Sequence, residues 1–155
     1  MRLALHTDYA LRTLMYLAVV GRQATAREVA EFYGISADHV AKVVNQLARR
    51  GYVQSVRGAG GGIRLSRAPE AISVGEVIEA MEGPLHLLDC VGSDGVCIIE
   101  SYCKLRQVLR EAERIQADYL RSVKLSDVLP GVRQLERTRS DSPRAAPRGR
   151  RPGKA

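Results

Sequence analysis

Cys90, Cys97 and Cys103 fall within fourteen residues, with Gly92, Ser93 and Gly95 between the first two. So flexible a segment can wrap three thiols around one centre. Clustered cysteines in a reducing compartment read as a metal or redox site. The C-x6-C-x5-C spacing lacks the tight C-x2-C pair of structural zinc. Thiolates at wider intervals suit a larger object, an iron–sulfur cluster. The plain alternative is three unpaired thiols acting as small hydrophobes. Three thiolates leave a cubane cluster one ligand short. His86 and Asp89 are near in sequence, while His6 and Asp8 are distant and could be brought in by a dimer. Asp8 by itself needs no such role, because the macrodipole already favours an acid in a helix's first turn.

A second set of residues suits a polyanion. Residues 1–68 hold ten Lys/Arg against four Asp/Glu, a balance of +6, whereas residues 69–136 hold seven against twelve, −5. Between Ala37 and Arg50 the polar residues Asp38, His39, Lys42, Asn45 and Arg49 lie off the apolar stripe Val40, Val43, Val44 and Leu47. Outward side chains of that kind on one helix can reach base edges in the major groove of double-stranded DNA. Arg57 and Arg64 flank the glycine-rich GAGGG and suit phosphates or a narrow minor groove. The competing reading of GAGGG as a nucleotide-phosphate loop fails. It lacks GK[ST] and opens no helix.

The elements that must position these groups follow from periodicity and caps. Thr7 is the expected N-cap of a first helix running to about Val20, with Ala10, Leu11, Leu14, Met15, Leu17 and Ala18 on its apolar face. Thr25-x-x-Glu28 is a capping box for a short second helix. Gly34-Ile35-Ser36 is a tight turn ending in the N-cap of the third, which Gly51 stops. Two short helices across a glycine turn, after a supporting helix, form a helix-turn-helix. Residues 52–56 and 63–65 read as two strands, and a hairpin placed there is a wing. Ser73-x-x-Glu76 opens a fourth helix, stopped by Gly83-Pro84. From Cys103 to Val123, Leu105, Val108, Leu109, Ala112, Ile115, Tyr119 and Leu120 repeat like a coiled-coil seam, which predicts a dimerisation helix. A last turn is expected near Ser126–Leu129.

The chain of 155 residues and 17.0 kDa, 45% hydrophobic and 26% charged, is long enough for one core. No window approaches the ~20 apolar residues of a membrane span. Asp8 and Arg12 interrupt the apolar N-terminus, so no signal peptide is expected and the cytoplasm is the expected location. The Pro-, Gly- and Arg-rich residues 131–155 are expected to be a disordered basic tail.

MRLALHTDYALRTLMYLA, GISADHVAKVVNQLARRGYVQSVRGAGGGIRL and ISVGEVI, followed by three cysteines, resemble the winged-helix iron–sulfur regulators. That family includes NsrR-like nitric-oxide-sensing repressors and IscR-like regulators. The likeness spans about residues 1–130. SVRGAGGG and the cysteine trio carry the wider family, and HTDYALR points to the NsrR-like branch. The resemblance implies a homodimeric repressor that releases its DNA operator when nitric oxide attacks one cluster per subunit, 4Fe–4S in preference to 2Fe–2S. It implies ligation by Cys90, Cys97, Cys103 and Asp8 of the partner subunit. A carboxylate is a harder and weaker partner for iron than a thiolate, so the Asp8 corner would be the labile one. IscR-like proteins complete the site with a histidine three residues after the last cysteine. Here that position is Arg106, which cannot lose its proton to bind iron. Six residues between the first two cysteines exceed the usual spacing, which predicts a longer loop.

The expectation is therefore a mainly α chain with a small β-wing, a winged helix-turn-helix plus a long dimerisation helix. Residues 1–83 would form the DNA-binding domain, 84–102 the cluster loop and 103–130 the dimerisation helix. Two rival readings remain: a redox- or iron-sensing regulator with a 2Fe–2S cluster, and a non-sensing DNA-binding protein stabilised by zinc or thiols. No catalytic acid–base pair is evident, and no enzyme is expected.

Overall fold

The computed structural model describes residues 3–131 except 57, 59 and 85. The expected basic tail lies almost wholly outside the described residues. Helix α1 spans Leu5–Val20 and starts after Ala4, without a side-chain cap. Thr7 is not the cap. It is buried inside the first turn, and its hydroxyl donates to Glu82 Oε1 at 2.5 Å. The same carboxylate oxygen accepts the Ala4 N–H at 2.7 Å. A distant acid thus satisfies an orphan donor of the helix start, and α1 begins earlier than its local sequence suggests.

Helix α2, Ala26–Tyr33, has both bonds of its capping box: Glu28 N–H to Thr25 Oγ1 and Thr25 N–H to Glu28 Oε2. Gly34, at φ 63°, ends it. Helix α3 spans Ala37–Arg49, with Val40, Val43, Val44 and Leu47 buried as the spacing predicts. Ser36 stands at its N-cap position but makes no side-chain cap bond. Strands β1, Val53–Val56, and β2, Gly62–Leu65, pair antiparallel with Gln54 opposite Arg64. Ala24 bridges to Ile63 through two backbone bonds of 3.0 and 2.8 Å, so the hairpin rests on the α1–α2 connection. A Cβ at Gly62 would meet the Ala24 carbonyl oxygen at 2.5 Å, so glycine is required for that approach.

Helix α4, Val74–Glu82, opens with half a capping box: Ser73 Oγ accepts from Glu76 N–H at 3.0 Å. The Glu76 carboxylate turns instead to Arg67, 2.5 Å away. One turn, α5 at Asp89–Gly92, breaks a stretch that shows no periodicity in sequence. Helix α6 runs Lys104–Ser122. Its C-terminal end returns to the start of α4 through Val74 N–H to Val123 O and Leu125 N–H to Ile72 O. The last turn is a 3-10 segment, Leu125–Val128. A Cβ on Gly75 would stand 2.6 Å from the Arg121 backbone nitrogen, so glycine is what lets α4 and α6 close. Leu14, Val29, Val40, Leu47, Val77 and Leu125 form one core, to which α6 itself contributes no buried residue.

Candidate functional site

The α3 face opposite the core carries Asp38, His39, Lys42, Asn45 and Arg49, all exposed. Asp38, Lys42, Asn45 and Arg49 follow the i, i+4, i+7, i+11 spacing of a single face. The His39 ring lies 6.2 Å from that of Tyr9, which flanks it on α1. Arg64 projects, exposed, from β2 beside the exposed Gln54 on β1. Arg57 lies outside the described residues. Sequence reasoning missed Gln23, whose amide donates to the Gly60 carbonyl at 2.5 Å and ties down the hairpin loop. Nothing local marks Gln23, because its partner is 37 residues away. Gly60 has φ 81°, so the loop glycines serve the hairpin's own turn before any partner.

The three thiols are unpaired: Cys90 and Cys103 are half-buried and Cys97 is exposed. Among the described residues, no three His, Cys, Asp or Glu side chains stand together closely enough to hold a metal ion. Cys103 caps α6, its sulfur accepting the Arg106 N–H at 3.4 Å. Asp8 lies in the first turn of α1, ion-paired to Arg12 at 2.8 Å, and is not gathered with its own chain's cysteines. His86 is committed to Glu113 at 3.2 Å, and Asp89 opens α5.

The donor set fits a thiolate-bound centre all the same. All three cysteines share one loop whose Val96, Ile98 and Ile99 are uncovered, Ile98 at 98% exposure. Such a loop can close on a metal centre without surrendering core packing. Beside it, α4, α6 and the loop enclose an open cleft of about 580 Å³. Several of its charges are spent on one another, in the pairs Glu79–Arg121 and His86–Glu113.

Residues 3–131 match the family model described as "Rrf2: Iron-dependent Transcriptional regulator". The chain is 39% identical over 132 residues to the HTH-type transcriptional regulator NsrR of Bacillus licheniformis, covering 83% of this chain and 92% of that one. Its fold is similar to that of T. potens IscR, with TM-score 0.66, 25% identity, and 82% and 85% of the two chains covered. It is also similar to CymR, the global cysteine regulator of B. subtilis, with TM-score 0.70, 23% identity, and 83% and 95% covered.

Proposed function

The chain belongs to the Rrf2 family of transcriptional regulators, and on that premise we propose a dimeric DNA-binding repressor that senses nitric oxide through a 4Fe–4S cluster. Its relatives are regulators, not enzymes. The observation that carries DNA recognition is the exposed polar face of α3, standing over a closed core. Such a helix fits the major groove and reads base edges. Lys42 and Asn45 are the base readers. Asp38 and His39 border the groove at the helix start, and Arg49 and Arg64 take phosphates. Arg57 joins them on the strength of its position in sequence.

Leu105, Val108, Ala112, Ile115 and Tyr119 repeat at alternating three- and four-residue steps on α6, and all are exposed. That is an a/d seam for a second copy of the chain. In such a dimer, Cys90, Cys97, Cys103 and Asp8 of the partner subunit are the cluster's ligands. When bound, the cluster supplies iron that reacts with nitric oxide. Asp8 sits on the helix that packs against α3, so its position bears on the spacing of the two α3 helices. Half-sites lie ~34 Å apart, and a small rotation between domains prevents both helices from docking together.

The test is anaerobic binding to DNA selected by the protein from a random pool, with and without nitric oxide, normalised to iron content. Wild type should bind and then release. Cys97→Ala should lose the brown colour outright. Asp8→Asn should bind weakly and respond little, even where iron remains. Full affinity and an unchanged response in Asp8→Asn would return Asp8 to an ordinary helix-start role. Two irons per chain rather than four would favour the redox- or iron-sensing reading.

A further inference from the structure

No residue of helix α6 is fully buried, but Arg106, Leu109, Glu113, Ala117 and Leu120 form a half-buried stripe. The Arg106 side chain at its head is withdrawn from water. Arg106 is 12% exposed, in contrast to the exposed Arg110 one turn later. Its guanidinium makes three bonds into the cysteine loop. Nε donates to the Cys90 carbonyl at 2.5 Å, one amino group to Asp94 Oδ1 at 2.6 Å, and the other to Glu100 Oε1 at 2.8 Å. The second oxygen of Glu100 accepts the Gly95 N–H at 2.7 Å. The Arg106 backbone N–H is the donor that holds Cys103 Sγ. One residue therefore touches both ends of the loop, the first cysteine through its side chain and the third through its main chain.

We propose that Arg106 is the positioning residue of the cysteine loop, fixing Cys90 and Cys103 relative to each other before any metal binds and leaving Cys97 as the arm that closes. The significance for cluster binding rests on the reading above; the clasp itself does not. Asp94 lies in the long interval between Cys90 and Cys97, so its bond to Arg106 folds the extra residues back onto α6. The Arg106 guanidinium also holds the Asp94 carboxyl below its ordinary range. The planar guanidinium presents donors on three separate nitrogens and so meets a carbonyl and two carboxylates on different sides. A lysine's three donors radiate from a single nitrogen and do not span them. Holding two ligands in place in advance lowers the entropy lost when the third arrives.

The bland alternative is a surface ion pair of no consequence, such as most exposed pairs are. Two measurements on the full chain separate the two. In the metal-free protein, Arg106→Gln should raise amide hydrogen exchange across residues 90–95, while Arg114→Gln, farther along α6, should not. After anaerobic reconstitution with iron and sulfide, Arg106→Gln should alter the cluster's visible circular dichroism and release iron to a chelator roughly 10–100-fold faster. Arg106→Lys should resemble Arg106→Gln, and Asp94→Asn should fall between them and wild type. Wild-type exchange and an unchanged dichroism in Arg106→Gln overturn the clasp. If wild type takes up no cluster but the exchange difference persists, the clasp stands and the cluster reading fails.

Discussion

The helix-turn-helix and the long α6 are built to opposite rules. In the first, Leu14, Leu47, Val29 and Val40 are sealed from water, and the outward residues are polar. In the second, no residue of a 19-residue helix is buried, and Leu105, Val108, Ile115 and Tyr119 stand 56–67% exposed. The first region is sealed within the one core, which Val77 of α4 and Leu125 beyond α6 help to close. Helix α6 only half-buries Arg106, Leu109, Glu113, Ala117 and Leu120. It is held by its packing on α4, by the Glu113 bonds to His86 and Leu87, by the backbone bonds of Val123 and Leu125 just beyond its end, and by the Arg106 clasp. A large unburied apolar row on an amphipathic helix marks an interaction surface. On the proposed function, the contrast gives stability to one half and assembly to the other.

The largest effects should come from exchanging those roles. Leu47→Ala opens a cavity in the sealed core and should cost about 2–5 kcal/mol of folding stability, read from thermal or denaturant unfolding. Ile115→Asp should leave the fold of the single chain nearly intact. In a dimer it would bury an unpaired carboxylate at a cost of several kcal/mol. Sedimentation should then show monomers, and DNA affinity should collapse. A stable, DNA-binding Ile115→Asp dimer would break the division between the two regions.

Legibility divides along the same line. The core of α2 and α3 was readable because its signals are local: the Thr25–Glu28 box, the Val40-to-Leu47 stripe and the glycine stops. The α6 stripe was readable as a period and as an expected dimerisation face, but the exposure of each of its residues is a tertiary fact. What stayed hidden depends on partners far along the chain. Thr7 looks like a cap until Glu82, 75 residues away, claims its hydroxyl. Gln23 and the Gly60 carbonyl are joined only when the hairpin folds over the α1–α2 connection. Arg106 was legible as a residue that cannot ligate iron, but not as one that gathers Cys90, Asp94 and Glu100. The long cysteine interval was legible as length alone, without the bond that folds it back.

Smaller effects sharpen the division within the DNA-binding half. Arg64, on the hairpin, should act as a phosphate contact. Arg64→Ala should weaken binding on all sequences alike and lower the salt slope by about one. Lys42→Ala should instead change base preference at one position per half-site, a discrimination of about 1–3 kcal/mol. Salt titrations on matched and mismatched DNA distinguish the two. Identical behaviour of the two variants would mean that α3 and the hairpin do not divide base reading from phosphate contact.

The smallest effect concerns the joint between the regions. Glu82 ends α4 just before the cysteine loop departs, and its Oε1 accepts from both Thr7 and Ala4 at the start of α1. His6 adds a bond of 3.1 Å to the Met81 carbonyl. The turn that carries Asp8 is thus moored to the last turn before the loop. The Thr7 hydroxyl, above all, holds the Glu82 carboxyl below its ordinary range, aided by the Ala4 N–H. With the folded pKa depressed, the unfolded chain takes up a proton first as pH falls. The stabilisation is therefore complete above the ordinary glutamate range and is lost as pH drops through the depressed folded value. Glu82→Gln keeps an acceptor oxygen but does not titrate. It should be less stable than wild type by about 1 kcal/mol near neutral pH, and the two should converge in acid. Thermal unfolding across that range measures the convergence. Parallel curves would mean that the Glu82 charge adds nothing to the joint, and that the turn carrying Asp8 is held by the apolar packing of α1 against α4 and the His6 bond to Met81.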